Sequence, residues 1–233
     1  MSDPSEVWAV IPVKETAGAK QRLAPVLSAP LRQALALAML EDVLEAVAGV
    51  QGLGGAILVT VDPQAETLTR RYGMTTLAEG AHAGHTGAVN AGARHLIAQG
   101  RQAMLTLPGD LPLVTSAEIV SLIAAHGPAP AFTIAPAHDD QGSNAILMSP
   151  PQAVPLRFGE DSFFPHLAAS RAQGIEPCVM RLPGIAFDID NPQDLHHFAR
   201  LGSATRAGTL IAAHAAEIGL DGRHEERAGR RIG

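Results

Sequence analysis

Cysteine is almost missing from this 233-residue chain: Cys178 stands alone, which excludes an internal disulfide and a zinc site built on several thiolates. Lysine is nearly as scarce. Lys14 and Lys20 are the only two, and arginine carries the rest of the 17 basic residues. No apolar run reaches the roughly 20 residues needed to cross a bilayer, and the start MSDPSEVW lacks the basic and apolar regions of a secretory signal. A soluble, cytoplasmic protein with no membrane partner is expected. The formal charge of −6 leaves no broad positive field to replace phosphate counterions, so extended nucleic-acid binding is not expected and any anion must be held locally. Several motifs are absent too. Without G-x-G-x-x-G a dinucleotide-binding dehydrogenase is poorly supported, and without G-x-S-x-G so is a serine hydrolase of the usual α/β type. GAKQ around Lys20 lacks the earlier glycine and the following Ser or Thr of a P-loop. None of the ten histidines forms a helical metal pair four residues apart around a carboxylate; His82, His85, His196 and His197 read as surface residues.

What is present is 46% hydrophobic content, enough for one α/β core. VWAVIPV over 7–13 reads as a buried strand ending in a polar loop. A helix follows from Ser28, with Leu31, Leu35, Met39, Val43 and Val47 at helical spacing until Gly49. Strands are expected at 56–61, 74–78, 102–107, 131–136, 144–148, 176–182 and 185–190. Helices are expected at 64–72, 88–99 and 162–173, after Thr115 with Glu118 in capping-box spacing, and after Asn191-Pro192. Strands alternating with helices imply parallel βαβ units in a mostly parallel sheet. Residues 1–202 are read as this domain, and 203–233 as a peripheral extension with one helix and a disordered end.

In such a sheet ligands bind beyond the carboxyl ends of the strands, so polar residues just after apolar runs carry most weight. Three places qualify. VKETAGAKQRL gathers Lys14, Lys20 and Arg22 into a glycine-containing loop suited to a phosphate chain, although three cations in nine residues also describe a solvated loop. Asp110 follows LTLPG. Asp188 and Asp190 in AFDIDNP would share one face of a strand about 6.5 Å apart, a spacing one cation can bridge. Alone, the pair reads equally as a cap and a solvated residue. With Asp110 it offers the oxygen ligands that magnesium or manganese takes. In the second half, Ser143, Asn144, Arg157, Gly159 and Ser162 make a second anion pocket or, for Ser162, an ordinary helix cap.

Taken together, VIPVKETAGAKQRLAP, LTLPGDLPLVT, GSNAIL, RFGEDSFFPHL and AFDIDNPQDL resemble the motif series of the CofC/FbiD family, guanylyltransferases of coenzyme F420 synthesis within the MobA-like nucleotidyltransferase group. The match runs from about residue 7 to 200, and GSNA followed by RFGEDSF is its specific part. The resemblance implies a three-layer, Rossmann-like α/β fold with a mixed, mostly parallel sheet. It also implies GMP transfer from GTP to 2-phospholactate, phosphoenolpyruvate or 3-phosphoglycerate. Carried over, Asp110, Asp188 and Asp190 would hold Mg2+, with Mn2+ as an alternative, and Lys14, Lys20 and Arg22 the triphosphate. Lys14, Lys20 and Asp110 would act in catalysis, Asn90 would face the nucleotide, and Ser143, Gly159 and Ser162 would bind the acceptor. Where the family more often has threonine, Ser143 keeps the hydroxyl and loses a methyl. A downstream transferase of the same pathway is an expected partner, with the chain a monomer or homodimer. A MobA-like molybdopterin or sugar-phosphate nucleotidyltransferase and a silent nucleotide-binding regulator remain as alternatives.

Overall fold

The computed structural model describes residues 6–159, 161–201 and 204–219. Seven strands form one sheet: β1 (Val7–Pro12), β2 (Gly55–Val59), β3 (Thr75–Leu77), β4 (Ala103–Thr106), β5 (Ala131–Pro136), β6 (Ser143–Ser149) and β7 (Cys178–Val179). Their order is β3-β2-β1-β4-β6-β5-β7. All neighbours run parallel except β6, which is antiparallel to both β4 and β5. The expected α/β class with a mixed, mostly parallel sheet is therefore what forms.

The period-2 alternation of the strands builds the layers. Val7, Ala9, Ile11, Leu58, Leu105 and Leu147 face one side, against Leu40, Val43 and Leu44 of α1 (Ala29–Ala48) and Ile119 and Leu122 of α4 (Ser116–Ala125). Val10, Ile57, Val59, Met104, Ile146 and Met148 face the other, against Val89 and Leu96 of α3 (Gly84–Ala98) and Phe163 of α5 (Phe163–Ala172). The remaining early helix, α2 (Pro63–Arg71), is capped by Asp62, and α4 begins with the capping box expected of Thr115 and Glu118.

The segment expected as a strand over 185–190 is not one. Pro183–Ala186 form a helical turn, α6, and residues 187–190 run on outside the sheet. The cause lies at Gly184, whose amide donates to Glu118 Oε1 at 2.7 Å, and where a Cβ would come 2.2 Å from the Leu113 carbonyl oxygen. That close approach pulls the chain onto the start of α4 and away from a strand neighbour. Alternation nevertheless survives: Ile189 is fully buried while Asp188 and Asp190 on either side are half-buried.

Ile189 enters a third apolar cluster with Leu23 of the lysine loop, Leu31, Leu35 and Met39 of α1, and Leu195 and Phe198 of α7 (Pro192–Arg200). Of the extension expected over 203–233, Arg206–Ala213 form α8 and Ala215–Ile218 form α9. Ala207, Ile211 and Ile218 complete that same cluster. Asp42 of α1 accepts the backbone amides of Arg206 and Ala207 at 2.8 and 3.0 Å, so α1 caps α8 across 165 residues. The disordered end expected beyond it lies outside the described residues. Among those described, no helix is long and apolar enough to cross a membrane.

His126, at the end of α4, is 2% exposed and lies 2.9 Å from both Thr133 Oγ1 and Ser149 Oγ. Burial pushes its pKa from 6.5 down to about 4. Between those values the unfolded chain binds the extra proton, so this stability is present above pH 6.5 and lost as the pH falls toward 4, by at most about 1.4 kcal/mol per pH unit. Urea midpoints measured between about pH 7 and 4.5 should fall, and His126→Gln should flatten that slope; an unchanged slope would show that His126 does not contribute.

Candidate active site

The sheet order decides which residues meet. β1 lies at the point where the order reverses, between β2 and β4, so the loops after β1 and β4 open at one edge. Because β6 runs the other way, its first residues reach that same edge: Thr106 of β4 pairs with Ile146, leaving Ser143 and Asn144 beyond it. A register shift between Ala135 and Pro136 sets Ser143 opposite Pro136 and re-aims it beside the opening. A cavity of about 1040 Å³ results, lined by Lys14, Lys20, Arg22, Asp110, Ser143, Gly159, Ser162, Asp188 and Asp190. Every expected site residue is there except Asn90, which lies further along α3, and Arg157, which precedes the lining residues Phe158 and Gly159.

Lys20 is at its centre. Its Nζ donates to Asp110 Oδ2 at 2.7 Å and to Asp190 Oδ1 at 2.9 Å, with the side chain only 10% exposed. The backbone of Lys20 is left-handed, φ 51° and ψ 46°. That conformation costs a side-chain-bearing residue roughly 1–2 kcal/mol, which two charge-assisted bonds can offset. Burial opposes the ammonium, but Asp110 and Asp190 outweigh it and raise the pKa above its ordinary value. Burial likewise opposes ionised Asp110, yet Lys20 holds its carboxyl below the usual range. Asp188 goes the other way: burial, then the charges of Asp110 and Asp190, push it up to about 6, against Lys20 and a 3.4 Å contact from Asn144 Nδ2.

Two anchors hold this arrangement. Thr16 N and Oγ1 both donate to Asp62 Oδ2 at 2.7 Å, while Asp62 Oδ1 accepts the first amides of α2, so one buried carboxylate ties the lysine loop to a helix start. On the other side Asp194 Oδ2 accepts the amides of Asp190 and Asn191 at 2.9 and 3.0 Å. Asp194 closes a capping box with Asn191 as well.

A divalent cation suits the donors in kind, since Asp110, Asp188 and Asp190 line one cavity with one paired ammonium, and Asp188 is pushed toward protonation by burial and then by the charges of Asp110 and Asp190. They are not already gathered around one point: among the described residues no three His, Cys, Asp or Glu side chains stand where they could hold one ion. Lys20 takes the place between Asp110 and Asp190 instead. The lysine expected to hold the triphosphate is thus in contact with two of the carboxylates expected to hold the metal.

The opposite wall is built on Ser143. Its Oγ lies 2.9 Å from His166 Nδ1 and 3.3 Å from Ser162 Oγ. Ser162 occupies the N-cap position of α5 but makes no side-chain cap bond, so the ordinary-cap reading does not describe it. His85 is not a plain surface residue either. It lines the cavity 4.4 Å from the Phe158 ring, and burial lowers its pKa, with Asp110 working against that shift and Lys14 with it. Asn144 belongs to the site too, through Asp188 and the Ile185 carbonyl. A larger groove of about 1270 Å³ between α1, α2 and α8 contains none of the expected site residues.

A family model described as "Guanylyl transferase CofC like" matches residues 7–228. The phosphoenolpyruvate guanylyltransferase of Rubrobacter xylanophilus is 39% identical over 189 residues, covering 81% of this chain and 91% of that protein. The 3-phospho-D-glycerate guanylyltransferase of Colwellia psychrerythraea is 34% identical over 194 residues, 83% of this chain and 91% of that one. Among solved structures, one assigned as a nucleotide-diphospho-sugar transferase from Desulfovibrio desulfuricans G20 superposes with a TM-score of 0.74 at 17% identity, over 92% of this chain and 97% of that chain. A 4-diphosphocytidyl-2C-methyl-D-erythritol synthase gives 0.58 at 16% identity, over 84% and 97%. At such identities these two establish the fold.

If Lys20 is the counter-ion of the carboxylates, Lys20→Met should destabilise the metal-free protein. Because 32% of the Asp110 side chain is exposed to screening solvent, the loss should be about 1–3 kcal/mol, below that of a fully buried pair. Added Mg2+ should then raise the melting temperature of the variant more than that of the wild type; equal shifts would detach Lys20 from the cation site.

Proposed function

The chain belongs to the CofC-like family of guanylyl transferases, and on that basis we propose that it transfers GMP from GTP to a small phosphocarboxylate, phosphoenolpyruvate first among them, releasing pyrophosphate. The observation that supports this most is Lys20 bridging Asp110 and Asp190 in the cavity whose other wall carries Ser143 and Ser162. Phosphoenolpyruvate is favoured because relatives at 35–39% identity bear that name. The setting would be coenzyme F420 synthesis in the cytoplasm.

The chemistry needs no general base. A phosphomonoester has a second pKa of about 6 and is largely a dianion near neutrality. One of its oxygens forms a bond to the α-phosphorus of GTP while the bond from that phosphorus to the oxygen bridging toward the β-phosphate breaks, and the electron pair leaves with pyrophosphate. The difficulty is bringing two anions into line and stabilising the leaving group. Lys14, Lys20 and Arg22 would meet the triphosphate; the lysines are compact and flexible enough to follow a phosphate chain whose geometry changes. Ser143, Gly159 and Ser162 would hold the acceptor. Asp110, Asp188 and Asp190 would hold magnesium, or manganese, which when bound supplies positive charge against the phosphate oxygens. Asn90 has no part in this reading.

Purified protein incubated with Mg2+, GTP and each of phosphoenolpyruvate, 2-phospholactate and 3-phosphoglycerate should release pyrophosphate with at least one, and phosphoenolpyruvate should be turned over fastest. No release with any of the three would overturn the proposal. Asp188→Ala should lower turnover by about a hundredfold or more with little change in folding; near wild-type transfer at saturating Mg2+ would remove Asp188 from the mechanism.

A further inference from the structure

His166 lies on α5, 1% exposed, with both ring nitrogens engaged. The backbone amide of Arg157 donates to Nε2 at 3.0 Å, and Ser143 Oγ lies 2.9 Å from Nδ1. An amide can only donate, so Nε2 carries no proton. The neutral ring must then hold its hydrogen on Nδ1 and donate it to Ser143 Oγ. Burial, which pushes the pKa down to about 4, keeps the ring neutral near pH 7. Ser162 Oγ donates to the same oxygen at 3.3 Å. Ser143 Oγ thereby accepts from two donors, and the only group it has left to offer the cavity is its own hydrogen.

We propose that His166 is a positioning residue for the acceptor subsite: its fixed tautomer fills one lone pair of Ser143 and, with Ser162 donating to the other, leaves Ser143 only its own hydrogen to offer, so that the subsite takes an anionic oxygen, carboxylate or phosphate, and rejects a hydroxyl that must donate. The same ring acts on the loop through Arg157, two residues before Gly159, whose φ of 145° suits glycine. It also packs edge-on against Phe158 at 5.2 Å. One buried side chain therefore contacts both sides of the subsite, Ser143 on β6 and the 157–159 loop, and it is the Ser143 contact that sets the polarity. The inference rests on the acceptor subsite proposed above and adds the residue that determines its polarity.

Two substitutions divide the roles of the ring. His166→Asn can place an amide N–H where Nδ1 is and keep the donation to Ser143, whereas His166→Gln can place an acceptor where Nε2 is and keep only the Arg157 bond. With steady-state guanylyl transfer as the assay, His166→Gln should raise the acceptor KM about tenfold or more, with the GTP KM and kcat changed by no more than about twofold. His166→Asn should restore the acceptor KM to within about threefold of wild type. Equal losses in the two variants, or a change falling on the GTP KM, would overturn the proposal.

The second arm uses 15N-histidine-labelled protein. His166 should appear as the Nδ1–H tautomer, and its resonance should move on titration with phosphoenolpyruvate or inorganic phosphate. An Nε2–H tautomer, or a resonance that neither ligand moves, would overturn the proposal as well. If no acceptor is turned over, guanylyl transfer fails as the function, while the tautomer and the titration still decide the role of His166.

Discussion

The site depends on one ammonium group held between two carboxylates. Lys20 Nζ touches Asp110, which follows β4, and Asp190, which precedes α7, so three distant parts of the chain meet at one charge. Without it, Asp110, Asp188 and Asp190 would face one another with their repulsion uncompensated, and Asp188 is already pushed up to about 6 with the lysine in place. Counter-charge therefore stabilises this edge of the fold. Under the proposed function, a cation that replaced Lys20 among the carboxylates would free the ammonium for phosphate oxygens and so would couple metal binding to triphosphate binding.

The apolar framework enforces the same meeting. Leu23, three residues after Lys20, and Ile189, between the two aspartates, are both fully buried in the cluster shared by α1, α7, α8 and α9. The lysine turn and the aspartate segment are thus fastened from behind by side chains that never see the cavity. Asp62 and Asp194 fasten them from the sides through backbone amides. Such a scaffold holds mutually repelling groups in position because its hydrophobic and hydrogen-bonded contacts are made elsewhere.

Much of this is legible in the sequence. Apolar runs closed by polar loops marked the strand ends, and Lys14, Lys20, Asp110, Asp188 and Asp190 stood out because their chemistry is unusual at such places. The parts that were not legible depend on tertiary contact. Asp188 and Asp190 flank a buried residue as a strand would place them, yet Gly184 draws the chain onto α4 and out of the sheet. Ser162 is indistinguishable from a cap until its hydroxyl is seen against Ser143. His166 is a lone histidine in an apolar helix, and His85 sits in a polar loop; neither spacing announces that both pack against Phe158. Asn90, expected to face the nucleotide, lies on α3 beyond His85 and Thr86, where that helix meets the cavity.

The central claim is that the lysine loop and the three aspartates form two sides of one triphosphate site. A crystal structure with magnesium and a non-hydrolysable GTP analogue tests it most directly. The account predicts phosphate oxygens against Lys14 and Lys20, with Lys20 Nζ withdrawn from at least one aspartate and the metal bound among Asp110, Asp188 and Asp190. A nucleotide bound in the groove between α1 and α8, or phosphates out of reach of both lysines, would contradict it.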